Sequence, residues 1–260
     1  MAAPELSHVR RGSGEPLLLI HGLGGAGMIW DPVLDRLASE RDVIAIDMPG
    51  FGLSPELSEG TPASAANLGR AVAEFVRAQG IERPHVAGNS LGGWVALEMA
   101  KAGETRSICA ISPAGLWRSP LGPKRGDLRR IGRGLRPLLG AALANRGVRT
   151  ALLQTSLAHP DRLTREEAEK LISGWLDSPG YDAANEQMRL GVFEHAELVG
   201  VPVTIAWGSA DRLLGPPRPE RMPPGTRYLV LEGAGHTPTW DEPERVAGLI
   251  LESSSVSAAR

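Results

Sequence analysis

Short apolar runs alternate with helical spacings along the first hundred residues. Residues 16–20, reading PLLLI, and 43–46, reading VIAI, are brief, branched and bounded by polar residues or glycine, as strands buried on both faces are. Between them, over 31–39, Val33, Leu34 and Leu37 fall on one helical face. A longer helix is predicted over 64–79, with Leu68, Val72, Phe75 and Val76 on one side and Gly80 as its stop. A strand at 85–87, a helix at 91–101 and a strand at 107–111 continue the alternation, which implies a mostly parallel sheet with helices on both faces. The rhythm breaks at Ser112-Pro113-Ala114-Gly115. From 116 to 198 only helical patterns appear, the clearest starting at Thr164, which forms a capping box with Glu167 ahead of Ala168, Leu171, Ile172, Trp175 and Leu176. Strands resume at 201–207 and 226–231, and 242–251 is the last helix. The expected organisation is therefore an α/β core of 1–115 and 199–260 with a helical cap, 116–198, inserted over the carboxyl edge of the sheet.

Composition narrows this picture. The 260 residues carry 28 Lys+Arg against 30 Asp+Glu, a formal charge of −2, so overall charge gives no reason to expect nucleic-acid binding. The hydrophobic share of 42% with 22% charged residues is that of a globular chain. The single cysteine, Cys109, can form neither an internal disulfide nor a thiolate zinc site. Charge is uneven, however: residues 118–149 hold nine basic residues and one acid, Asp127. That stretch reads as a solvated helical face, or alternatively as an electropositive entrance for anionic substrates or membrane headgroups. The start lacks a basic segment followed by an apolar one, and no run approaches the ~20 apolar residues of a membrane span. A cytoplasmic protein without stable membrane insertion is expected, with a frayed tail over 253–260 and association into homo-oligomers left open.

The chemistry concentrates at Gly88-Asn89-Ser90-Leu91-Gly92-Gly93, a G-x-S-x-G spacing between an apolar strand and a helical pattern. A serine on so tight a turn crowds the residues two places either side, which is why Gly88 and Gly92 lack a Cβ. The turn also sets Ser90 at a helix N-terminus, where free N–H groups favour developing negative charge. The plain alternative is an ordinary tight turn. A serine hydroxyl needs a base. Of six histidines, His236 lies in a flexible loop after the last strand, within reach of the carboxyl edge; His85 begins a strand at the wrong edge, and His159 and His195 fall in the insertion. Asp211 follows the strand ending at Trp207 and can orient the imidazole. The loop His21-Gly22-Leu23-Gly24-Gly25 can turn backbone N–H groups inward, so Leu23 and Leu91 are the expected oxyanion donors, with His21 bracing the loop. Met28, Ile29, Asn89, Trp117 and Leu213 are candidates for the substrate pocket, whereas Trp94 and Trp175 are expected in the core and Cys109 is expected to be buried and inert. No metal cluster or phosphate loop is evident, and no cofactor is expected.

Together these segments, with Asp47-Met48-Pro49-Gly50-Phe51-Gly52-Leu53-Ser54 and Trp207-Gly208-Ser209-Ala210-Asp211, resemble the α/β-hydrolase superfamily over nearly the whole chain. The resemblance implies a sheet of about eight strands, for one of which little sequence precedes residue 16, and a structural role for the loop 47–54. The chain order Ser90, Asp211, His236 matches the order of that family's triad. Dehalogenases and epoxide hydrolases of the family place aspartate at the elbow, so Ser90 points to acyl transfer on a small-molecule substrate, and a carboxylesterase-like enzyme is the leading expectation. A carbon–carbon bond hydrolase of diketone acids is the alternative suggested by Asn89, although Thr237 stands where those enzymes carry tryptophan. Lactonases, cofactor-free haloperoxidases and a ligand-binding receptor that keeps the pocket are the other readings.

Overall fold

A computed structural model describes residues 5–123 and 128–255. Lys124, Arg125 and Asp127 of the basic stretch, and 256–260 of the tail, lie outside the described residues. The strands are β1 (His8–Gly12), β2 (Pro16–Ile20), β3 (Asp42–Ile46), β4 (His85–Asn89), β5 (Ser107–Ile111), β6 (Val203–Gly208) and β7 (Arg227–Leu231). They form one seven-stranded sheet in the order β1-β3-β2-β4-β5-β6-β7. β1 runs antiparallel to β3, and every other pairing is parallel.

Alternation along the strands divides the core. Leu18, Ile20, Ile44, Ile46, Val86 and Ile108 face one side, where α2 (Ala65–Ala78) and α3 (Leu91–Lys101) cover them. Leu17, Leu19, Val43, Ala87, Cys109 and Ile111 face the other, against α1 (Asp31–Ala38) and, at the end of the chain, α10 (Pro243–Ser253). Each fully buried Leu or Ile stabilises the fold by about 1.5–3 kcal/mol, so these two layers dominate its energetics. Ser64 caps α2 by accepting from the Asn67 N–H, and Gly80 takes a φ of +77° just beyond the helix.

β1 is the strand the hydrophobic pattern does not predict. All five of its residues are exposed, so no apolar alternation marks it, and its pairing with β3 supplies only backbone hydrogen bonds and the Arg10–Asp42 ion pair. The tail also differs from expectation. Ser253 and Ser254 are buried at the end of α10, and the Ser254 hydroxyl accepts from Arg41.

Between β5 and β6 run α4 (Leu128–Gly134), α5 (Arg136–Ala142), α6 (Arg146–Leu153), α7 (Arg165–Asp177) and α8 (Tyr181–Leu190), with no strand among the described residues of this segment. A separate small core of Leu143, Leu153, Leu157, Leu163, Ala168, Ile172 and Leu176 holds it together. The expected capping box closes the start of α7: the Thr164 hydroxyl accepts from the Glu167 N–H while Glu167 accepts from the Thr164 N–H. The segment meets the rest of the chain at close backbone approaches, among them Gly180 N–H to Gly50 O at 2.8 Å and Thr237 N–H to Ser156 O at 2.9 Å.

Candidate active site

β4 ends at Asn89 and α3 begins at Leu91, so Ser90 occupies the whole strand-to-helix turn, with φ 54° and ψ −117°. That backbone is costly for a residue with a Cβ, and neighbouring groups hold it. The Ser90 N–H donates to Ile111 O at 2.9 Å, and its carbonyl accepts from Ala114 at 2.9 Å and Trp94 at 3.2 Å. The glycines act as the sequence requires. A Cβ on Gly88 would lie 2.3 Å from Gly92 O, and one on Gly92 would lie 2.2 Å from Ile20 O.

The carboxyl ends of β6 and β7 bring in two more groups. His236 Nδ1 donates to Asp211 Oδ2 at 2.7 Å, both side chains being buried. The other oxygen of Asp211 accepts from the N–H groups of Leu213 at 2.8 Å and Leu214 at 2.9 Å. Burial by itself would raise this carboxyl, but the hydrogen bond and charge of His236 and the two backbone donors outweigh it and hold Asp211 below the usual carboxylate range. With Nδ1–H committed to the carboxylate, Nε2 carries the lone pair, and that nitrogen is buried with no hydrogen-bond partner.

The glycine loop after β2 passes against the serine: a Cβ on Gly22 would lie 3.0 Å from Ser90 Cβ. His21, fully buried, donates from Nδ1 to Gly22 O at 2.7 Å and accepts at Nε2 from the Met48 N–H at 2.9 Å. Burial pushes its pKa down to about 4, against the opposing pull of Gly22 O and Asp47, so it is a neutral brace. Asp47 ties the adjoining loop by accepting from Gly27 and Leu53 N–H groups at 2.7 and 3.0 Å. Within this frame the backbone N–H groups of Leu23 and Leu91 donate to no acceptor among the described residues.

The pocket candidates differ in surroundings. Ile29 is buried among Leu17, Leu19 and Trp30, Met28 packs on the same layer, Trp117 stands edge-on to Trp94 within the opposite layer, and Leu213 is exposed. Asn89 is buried too, and its amide donates to Ile111 O at 3.2 Å and His236 O at 2.9 Å, fastening the elbow to the histidine loop. His85 sits at the opposite end of β4 with Ser107 at 2.8 Å, and Cys109 is buried, its thiol pushed up to about 12 by desolvation. Among the described residues no three His, Cys, Asp or Glu side chains converge as a metal-ligand set, and no helix is long and apolar enough to cross a membrane.

Two features escape sequence reasoning. Asp241, at the end of α9 (Pro238–Asp241), is buried and accepts from the N–H groups of Ala158 at 3.0 Å, His159 at 2.8 Å and Gly235 at 2.8 Å, so one carboxylate joins the histidine loop to the helical segment. Its place five residues after His236 is the only signal the sequence offers. Trp175 and Tyr181 lie over Gly24, where an added Cβ would meet them at 2.8 and 3.2 Å.

Comparison with known proteins adds the family. A model described as the alpha/beta hydrolase family matches residues 17–249. The dihydrolipoyllysine-residue acetyltransferase component of the acetoin cleaving system of Cupriavidus necator is 32% identical over 244 residues, covering 88% of this chain and 61% of that protein. The chain thus spans about three fifths of that relative's length. An epoxide hydrolase of Mycobacterium tuberculosis is 33% identical over 184 residues, 66% of this chain and 86% of its own. The solved structure of a membrane phospholipase A, described as a bacterial virulence factor, superposes with a TM-score of 0.74 at 25% identity over 98% of this chain and 88% of that one. A family match spanning all but the first strand and the chain ends, on a sheet of this order, makes the chain a member of the alpha/beta hydrolase family.

Proposed function

We propose that the protein is a serine hydrolase of carboxylic esters, working by acyl transfer through Ser90, His236 and Asp211. The observation that carries this reading is the 2.7 Å bond from His236 Nδ1 to Asp211, which leaves a buried, unpartnered Nε2 as the base for a serine held on a strained elbow. In the first step Nε2 takes the Ser90 proton as Oγ attacks the ester carbonyl. Asp211 stabilises the imidazolium that forms. The oxyanion is met by the N–H groups of Leu23 and Leu91 and by the N-terminus of α3; one such donor is worth ~2.7–4 kcal/mol in the transition state. His236 returns its proton to the leaving alcohol, and water, deprotonated by the same nitrogen, releases the acid and restores Ser90. The helices of 116–198 are the cap over this site, since Trp175 and Tyr181 cover Gly24 of the glycine loop.

The likeness to an epoxide hydrolase does not favour that chemistry here, because the elbow bears a hydroxyl in place of the carboxylate such enzymes of the family use. Asn89 lends no support to carbon–carbon cleavage either, its amide being spent on two backbone carbonyls.

Turnover of p-nitrophenyl acetate, a lactone, an epoxide and a vinylogous diketone acid, measured on wild type and Ser90→Ala, tests the reading. Ester hydrolysis with a loss of roughly a millionfold in kcat in the variant, at unchanged melting temperature, is expected. Ester turnover that survives the substitution, or a wild type active only on the epoxide or the diketone acid, overturns it.

A further inference from the structure

The histidine loop is tied down at three consecutive residues. The Gly235 N–H donates to Asp241 Oδ2 at 2.8 Å, the His236 carbonyl accepts from the Asn89 amide at 2.9 Å, and the Thr237 N–H donates to Ser156 O at 2.9 Å. These bonds leave the backbone of His236 little freedom, and so set how its imidazole meets Asp211. Asn89 belongs to the elbow and Ser156 to the helical segment. Asp241 joins the loop and that segment through a single side chain.

The Asp241 carboxylate is 4% exposed, and among the described residues backbone N–H groups alone satisfy it. Oδ2 accepts from Gly235 at 2.8 Å, Oδ1 accepts from His159 at 2.8 Å, and the Ala158 N–H is shared between them at 3.0 Å. That division needs two acceptor oxygens. An amide offers one, and its NH2 would set a donor against a donor. A charged acceptor also makes each bond roughly twice as strong as a neutral one.

Packing leaves the loop no other seat. A Cβ on Gly235 would lie 2.6 Å from the Ala158 nitrogen and 2.8 Å from the Leu157 carbonyl carbon, so the two backbones already touch. Behind the loop the Thr239 hydroxyl donates to Ile29 O at 3.0 Å and fixes α9 to the core. The carboxylate thereby closes a ring over 235–241 and clamps it to residues 158–159.

We propose that Asp241 is a positioning residue for the base: by holding Gly235 on one oxygen and His159 on the other, it fixes the His236 imidazole on Asp211 and makes the seating of residues 157–159 a condition of that bond. It acts through the backbone of Gly235 and takes no part in proton transfer. Its effect on turnover rests on the hydrolytic reading; its effect on the His236–Asp211 bond does not.

Two readouts on Asp241→Asn, set beside Thr239→Val, test this. Thr239→Val loses the bond from α9 to Ile29 and keeps those of the carboxylate, so it measures what loosening alone does. Asp241→Asn should lower kcat for a soluble short-chain ester on the order of a hundredfold, as a misplaced catalytic group does, with KM within about twofold of wild type. In proton NMR the far-downfield signal of His236 Nδ1–H, which the short charge-assisted bond to Asp211 produces and His236→Gln identifies, should weaken or move upfield. Thr239→Val should lower the melting temperature and keep both readouts. Should Asp241→Asn fail to fold, wild type gives the second measurement: on warming, the Nδ1–H signal should vanish together with the exchange protection of the Gly235, Ala158 and His159 amides. Wild-type kcat with an unmoved Nδ1–H signal in Asp241→Asn, the same changes in Thr239→Val at equal loss of melting temperature, or an Nδ1–H signal that outlasts protection of those amides overturns the proposal. A wild type inactive on esters whose Nδ1–H signal is still lost in Asp241→Asn supports the positioning role and overturns the hydrolytic reading alone.

Discussion

β4 and β5 are buried at every residue, whereas on the described surface of α4 and α5 the one fully buried side chain is that of a charged residue, Arg129. The central strands rest on two continuous apolar layers; the helical segment rests on a seven-residue cluster and on polar fastenings, namely Arg129, Asp241 and the Gly180–Gly50 contact. The groups proposed for chemistry leave the carboxyl ends of the buried strands, and the groups proposed to cover them belong to the helical segment. On the proposed reading stability and substrate selection are thereby separated, and local opening of the helical segment should leave the sheet intact.

A substitution in the core should break that separation most severely. Gly92→Ala would drive a Cβ to 2.2 Å from Ile20 O and 2.4 Å from His21 O, both backbone atoms that cannot yield without moving β2. A loss of more than about 4 kcal/mol is expected in urea unfolding, with no folded fraction that retains activity. A variant close to wild type in stability would mean that the elbow is less tightly packed against β2 than described.

Acid should act on the core as well. His21 is buried neutral with a pKa of about 4, below the usual 6.5 or so of an unfolded chain, so between these values the unfolded state binds the extra proton. Stability present above pH 6.5 is therefore lost as the pH falls towards 4, by on the order of 3 kcal/mol. His85, whose pKa burial also lowers, adds in the same direction. His21→Asn should flatten this part of the stability profile, and an unchanged slope in the variant would assign acid sensitivity elsewhere.

Arg129→Met sharpens the comparison from the other side. It removes four hydrogen bonds to α7, α8 and their junction, at a cost of roughly 2–3 kcal/mol, yet the damage should stay local. Hydrogen exchange is expected to rise across 128–190 while the amides of β2, β4 and β5 keep their protection. Uniform loss of protection would show the two regions to be one cooperative unit.

What could be read from the sequence follows the same division. The buried parallel strands are unbroken apolar runs, and the lengths of β2, α3 and β5 agree with it residue for residue. The glycines around Ser90 mark the elbow because sterics leave no substitute. β1 was illegible because an exposed edge strand needs no apolar alternation, and the limits of α4–α6 were illegible because Gly132, Gly134, Pro137, Gly140 and Gly147 interrupt a segment held by arginine. The burial of Ile29 was hidden for another reason: periodicity says which positions are apolar, not which way a loop such as 27–30 turns, and there Ile29 and Trp30 turn into the core.

Fluorophosphonate labelling of the intact chain, followed by peptide mass mapping, tests the central claim most directly. An activated serine should take up one phosphonyl group per chain, carried on Ser90, with labelling abolished in Ser90→Ala and strongly slowed in His236→Gln. Absence of a label on well-folded wild type, or a label on any other residue, would contradict the account.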